Sequence, residues 1–202
     1  MHQDVVEFED IILKQHLVNI PPAGRVTFAT ACAQRVAPLY VRFYRLSGKG
    51  RPKFLEETLE RLWAYLQGRE FSTADRKKSI KKLESLVPDE DAGTDGGHAE
   101  NALLATTDAL ECSLTGDEEF AEMTASCVFE VIYYYVLYRD NIDYSLPNST
   151  RLIYSDPMAQ TELVRQQRDL DEIAAACQQP GGLIALIPTL RARAIAEAIM
   201  FE

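Results

Sequence analysis

Cys127-Val128-Phe129-Glu130-Val131-Ile132-Tyr133-Tyr134-Tyr135-Val136-Leu137-Tyr138 is the stretch on which the fold of this 202-residue chain turns. Its β-branched and aromatic residues suit a strand as well as a helix. Two features favour the helix. The segment grows directly out of Glu118–Ser126, with Asp117-Glu118-Glu119 placing negative charge where a helix N-terminus stabilises it. No partner strand is visible elsewhere. A helix apolar nearly all round is expected at the centre of a bundle.

Working outward, helical periodicity covers almost the whole chain. Val5, Phe8, Ile11/Ile12 and Leu17 predict a first amphipathic helix, with Asp4 as N-cap and Pro21-Pro22 as its end. A second is expected over about Arg25–Leu46, bent at Pro38 and closed by Ser47-Gly48-Lys49-Gly50. Pro52 opens a third through Leu66, and Ser72 or Thr73 caps a fourth, basic and superficial, to about Leu86. The Asp- and Gly-rich stretch 88–97 reads as a surface loop.

After it come a fifth helix over Ala99–Leu114, ending at Gly116, and the sixth already described. Asn141–Ser155 reads as a loop. Asp156-Pro157 opens a helix to about Cys177, and Leu183–Met200 forms the last, disturbed by Pro188. The expectation is an all-α, single-domain helical bundle of seven or eight helices spanning residues 1–202.

Composition agrees with a packed interior: 47% hydrophobic and 26% charged residues exclude wholesale disorder. The start is acidic and lacks an apolar core segment, so no signal peptide is expected. The longest uncharged stretch, Ile173–Leu190, is broken by Gln178-Gln179-Pro180-Gly181-Gly182, which argues against a membrane span. Cys32, Cys112, Cys127 and Cys177 are far apart, with no C-x-x-C pair, and read as reduced thiols in a cytoplasmic protein. Asn148-Ser149-Thr150 fits a glycosylation sequon that such a protein would not use.

Charge is unevenly distributed. Met1–Asn101 holds 15 Lys/Arg and 15 Asp/Glu, whereas Ala102–Glu202 holds 6 and 16, so the net charge of −10 belongs to the second half. An acidic surface repels nucleic acid and anionic lipid and attracts basic proteins. Glu118, Glu119 and Glu122 are candidate partner-binding residues on this ground. The cluster Arg76-Lys77-Lys78 with Lys81-Lys82 lacks the interleaved aromatics of a single-strand binder and reads as a solvated helix face. It could also meet an acidic patch on a second copy, giving a homo-oligomer. Gly48-Lys49-Gly50-Arg51 resembles an anion nest without the full phosphate-loop spacing.

Catalytic motifs are absent. None of His2, His16 or His98 follows a Glu at the spacing of a helical di-iron site, and there is no G-x-S-x-G elbow. No metal or cofactor is expected. Arg35 lies on or beside an apolar helix face one turn before Pro38, and its chief expected role is an internal ion pair or a carbonyl freed by the bend. Glu130, the one charged residue between Cys127 and Tyr138, is expected either at a helix edge facing water or paired with Arg35. A cavity where Arg35, Glu130 and Tyr134 converge would instead indicate a small-molecule binder or enzyme.

Particular residues resemble a known family. Arg25-Val26-Thr27-Phe28, Cys32-Ala33-Gln34-Arg35, Pro38-Leu39-Tyr40 and Phe43, then Leu59-Glu60-Arg61-Leu62-Trp63, are similar to the YjaG-like bacterial proteins, domain of unknown function 416. Asn101-Ala102-Leu103, Asp108-Ala109-Leu110 and Leu186-Ile187-Pro188-Thr189-Leu190-Arg191-Ala192 extend the likeness, over about Arg25–Arg193. The resemblance implies a cytoplasmic, all-helical bacterial domain and brings no activity with it. The functional expectation is a non-enzymatic protein that binds a basic protein partner, as an immunity protein binds a basic toxin.

Overall fold

Proline, glycine and small polar caps set where the helices begin and end. The computed structural model describes residues 14–89 and 92–201. The expected Val5–Leu17 helix lies mostly outside them; its described part is α1, Lys14–Asn19. Then follow α2 (Pro22–Ser47), α3 (Pro52–Leu66), α4 (Thr73–Glu84), α5 (Gly93–Thr115) and α6 (Glu118–Arg139). The last three are α7 (Ser149–Tyr154), α8 (Pro157–Cys177) and α9 (Gly182–Ala196).

Prolines 22, 52 and 157 sit in first turns, where their missing N–H costs nothing. Ser72, Asp117 and Asp156 accept N–H bonds from Asp75, Glu119 and Met158 and cap α4, α6 and α8. Gly116 ends α5 at φ +73°, and a Cβ there would lie 2.8 Å from Cβ of Pro22. Both the left-handed backbone and the close approach of α2 require glycine at that position.

The described residues contain nine helices and no strand, an all-α bundle. Three boundaries differ from expectation. The 88–97 loop is shorter, because α5 starts at Gly93 and carries Gly96-Gly97-His98 inside the helix. The Asn141–Ser155 loop contains α7, held by the buried Ile153 and Tyr154. The last helix stops at Ala196 rather than Met200, and beyond it the Ile199 N–H donates to Arg35 O and Phe201 stacks on Tyr135.

The centre also differs. The hub is α2, which packs most extensively on α5 and also on α6, α3, α9 and α8. It buries Ala29, Ala31, Ala33 and Ala37, and α5, its main packing partner, buries Ala99, Ala102, Ala105 and Ala109. Small side chains let two backbones approach closely, which a helix of tyrosines cannot do. Thus α6 packs beside this pair and keeps one face open. By length and composition α6 is apolar enough to cross a bilayer, but 56% of its apolar window is buried in the protein, as in a core helix.

Candidate functional site

Arg35 is fully buried on α2, and an isolated guanidinium there would be prohibitively costly. Its charge is met by α8. Nε donates to Glu162 Oε1 at 3.0 Å and Nη1 to Asp169 Oδ2 at 2.7 Å, while Nη2 reaches Cys32 Sγ at 3.2 Å. Glu162 and Asp169 are seven residues apart, two turns on one helix face, and so grip the fork from both ends. Gln166, between them, donates to Glu162 Oε1 at 3.1 Å.

The network then spreads outward. Asp169 Oδ1 accepts from Arg193 at 2.6 Å and Arg168 at 3.2 Å. Arg193 forks onto Glu172, and Arg168 forks onto Glu197. Burial raises the Glu162 carboxyl above the ordinary glutamate range, and Arg35 pulls it back. This is the internal ion pair expected of Arg35, with α8 as the partner element rather than Glu130. The carbonyl near Pro38 is satisfied by another group: Ile199 N–H donates to Arg35 O at 2.8 Å.

The other two residues of the expected cavity lie elsewhere. Glu130 is exposed on α6, and Tyr134 is 44% exposed on the same face. Arg35 is packed solid, so the three do not converge and no shared cavity forms around them. Their placement instead joins Glu130 and Tyr134 to the expected acidic patch. Glu119, Met123, Glu130, Tyr134 and Tyr138 recur at helical spacing along the open face of α6, with half-buried Glu122 beside them. Tyr134 and Tyr138 stack with ring centroids 6.4 Å apart. Glu118 is tied down by Arg25 at 3.2 Å and is the least available of the three acidic candidates. None of Glu119, Glu122 or Glu130 is ion-paired among the described residues.

The chemistry of buried groups is quiet. Burial pushes the Cys32 and Cys112 thiols up to about 12, and raises that of Cys127, so none supplies a thiolate nucleophile near neutral pH. Asp108 is pushed up to about 7 by burial and by Glu111, and the Cys127 thiol lies 4.0 Å from its Oδ2. Burial lowers the pKa of His98, whose ring lies against Phe201 with centroids 4.9 Å apart. Among the described residues no group of three or more His, Cys, Asp or Glu could hold a metal ion.

Glu162 and Asp169 were not singled out from the sequence. The available signal was a run of polar residues, Glu162, Gln166 and Asp169, falling on the same face as Ala159 and Ile173. Acidic residues on a core stripe call for a buried cation.

A family model, described as a protein of unknown function (DUF416), matches residues 12–199. The chain belongs to this family. A crystal structure of a DUF416 family protein from Shewanella baltica OS155 superimposes with a TM-score of 0.79. The match covers 90% of this chain and 92% of that one at 20% identity, which shows a shared DUF416 fold. No curated protein matches the chain.

Proposed function

We propose that this DUF416 chain is a non-enzymatic cytoplasmic bacterial protein that binds a basic protein partner along the open face of α6. An immunity-like role against a basic toxin is the concrete form. The observation that carries this reading is the stripe Glu119, Met123, Glu130, Tyr134 and Tyr138, where unpaired carboxylates alternate with exposed apolar and aromatic groups. Aromatic rings supply rigid contact area, and the carboxylates steer a cationic surface towards them. Rigidity comes from below, because Val128, Val131, Ile132 and Val136 anchor the opposite face of α6 in the core. The protonated thiols and the solid packing around Arg35 also favour binding over catalysis.

The test uses a lysine-rich amphipathic helical peptide as probe, titrated at low and moderate salt. Affinity should fall by about tenfold between 50 and 300 mM NaCl, since exposed charges are screened over a Debye length. Glu119→Lys with Glu130→Lys should remove most of it, and Tyr134→Ala should weaken it independently of salt. Binding indifferent to both salt and the Glu variants would overturn the proposal.

A further inference from the structure

A cleft of about 440 Å³ separates α3 from α4 on the neutral half of the chain. It is lined by Phe54 and Arg61 from α3 and by Asp75, Lys78, Ser79, Lys81 and Lys82 from α4. The α4 residues recur at three- and four-residue steps, so the helix presents them together. Among the described lining residues Asp75 is the one acid, and it is taken, accepting from Arg61 at 3.0 Å. Arg61 is further fixed by lying over the Phe71 ring, 3.9 Å from its centroid. Lys78, Lys81 and Lys82 have no ion-pair partner among the described residues. Arg76, by contrast, is not part of the surface cluster expected from the sequence. It is buried, donates to Ser113 and packs over Tyr65.

A second observation is independent of the lysines. Ser79 is 4% exposed and lines the cleft, yet its hydroxyl makes no hydrogen bond to any described residue. The little of Ser79 that stays exposed lies in the cleft, so its hydroxyl is free to donate to a group bound there. Three unpaired lysines and a free hydroxyl lining one cleft suit a compact, multiply charged oxyanion better than a single carboxylate. Lysine acts there as a point charge with three donors. The half-buried Phe54 ring supplies one apolar wall for the rest of a small molecule.

We infer that the α3–α4 cleft binds a phosphate-bearing small ligand, its phosphate held by Lys78, Lys81, Lys82 and the Ser79 hydroxyl. The site is separate from the acidic stripe on α6 and of opposite charge. Its size admits one small molecule, and the net charge of −10 on the chain opposes a long polyanion. The phosphate can come from a free metabolite or from a lipid headgroup.

Two probes separate these sources in the full chain: inorganic pyrophosphate by titration calorimetry, and phosphatidic acid vesicles by co-sedimentation. Binding to one or both is expected at low salt. Lys78→Gln and Lys82→Gln should each weaken it roughly fivefold or more, and Ser79→Ala by about threefold with no drop in thermal midpoint. Lys77→Gln, exposed on the same helix outside the cleft, should leave it unchanged. A response to pyrophosphate alone assigns a free phosphate, and one to vesicles alone assigns a headgroup. Absence of binding to both probes, or an equal loss with Lys77→Gln, overturns the inference.

Discussion

At the residue scale the two buried acids on α8 are not equivalent. Asp169 is shared by three arginines, whereas Glu162 is already pushed towards its neutral form by burial. Removing the charge of Asp169 leaves the buried Arg35 with Glu162, whose carboxyl burial pushes towards neutral, as its remaining counter-charge. Asp169→Asn is therefore expected to cost about 3–5 kcal/mol, and Glu162→Gln less, measured by urea unfolding. Equal costs would show that the two acids carry the charge of Arg35 evenly. Asp108 gives a pH prediction. Its folded-state value near 7 lies above the unfolded value near 3.8, so the folded protein holds a proton that the unfolded chain releases. Stability should fall as pH rises from about 4 to about 7 and then level off. Asp108→Asn removes that slope and should stabilise the protein at pH 8 by about 1–2 kcal/mol, because a neutral side chain replaces a poorly partnered buried charge. A variant whose thermal midpoint tracks wild type across this range would refute it.

At the element scale, helix starts were legible and some ends were not. Proline in the first turn and Ser or Asp at the N-cap act within a few residues, so local sequence specifies them. The end of α9 and the course of 197–201 depend on distant groups. Phe201 stacks on Tyr135 with centroids 3.9 Å apart, packs against His98, and gives its carbonyl to Arg42. Ile199 closes on Arg35 O, and its side chain is buried with that of Phe201. A helix prolonged to Met200 would forfeit these contacts. Phe201→Ala is expected to cost about 2–4 kcal/mol, against at most about 0.5 for the exposed Met200→Ala, by the urea midpoint. The short α7 was hidden for the same reason: only its burial of Ile153 and Tyr154 makes six residues helical.

At the scale of the whole molecule, the acidic second half is partly neutralised by its own and neighbouring arginines. Arg35 meets Glu162 and Asp169, Arg168 meets Glu197, Arg193 meets Glu172, and Arg139 meets Asp140 and Asp156. Glu119, Glu122 and Glu130 on α6 stay without an ion pair among the described residues, as do Glu111, Asp143 and Asp171 elsewhere. The innermost of these pairs are shielded from salt, so the thermal midpoint should move by only a few degrees between 50 and 500 mM NaCl. A much larger fall, read by calorimetry, would place the stabilising charges at the surface. Hydrophobic periodicity and caps, being local, were sufficient by themselves to establish an all-helical chain and most helix boundaries. They also placed Arg35 on or beside an apolar face, where an internal ion pair or a carbonyl freed by the bend was its expected use. Which acids met that arginine, that α2 rather than α6 forms the hub, and that Glu130 and Tyr134 face outward were decided only in three dimensions. Those outcomes depend on how closely alanine-lined backbones can approach and on which charged groups that approach leaves buried together.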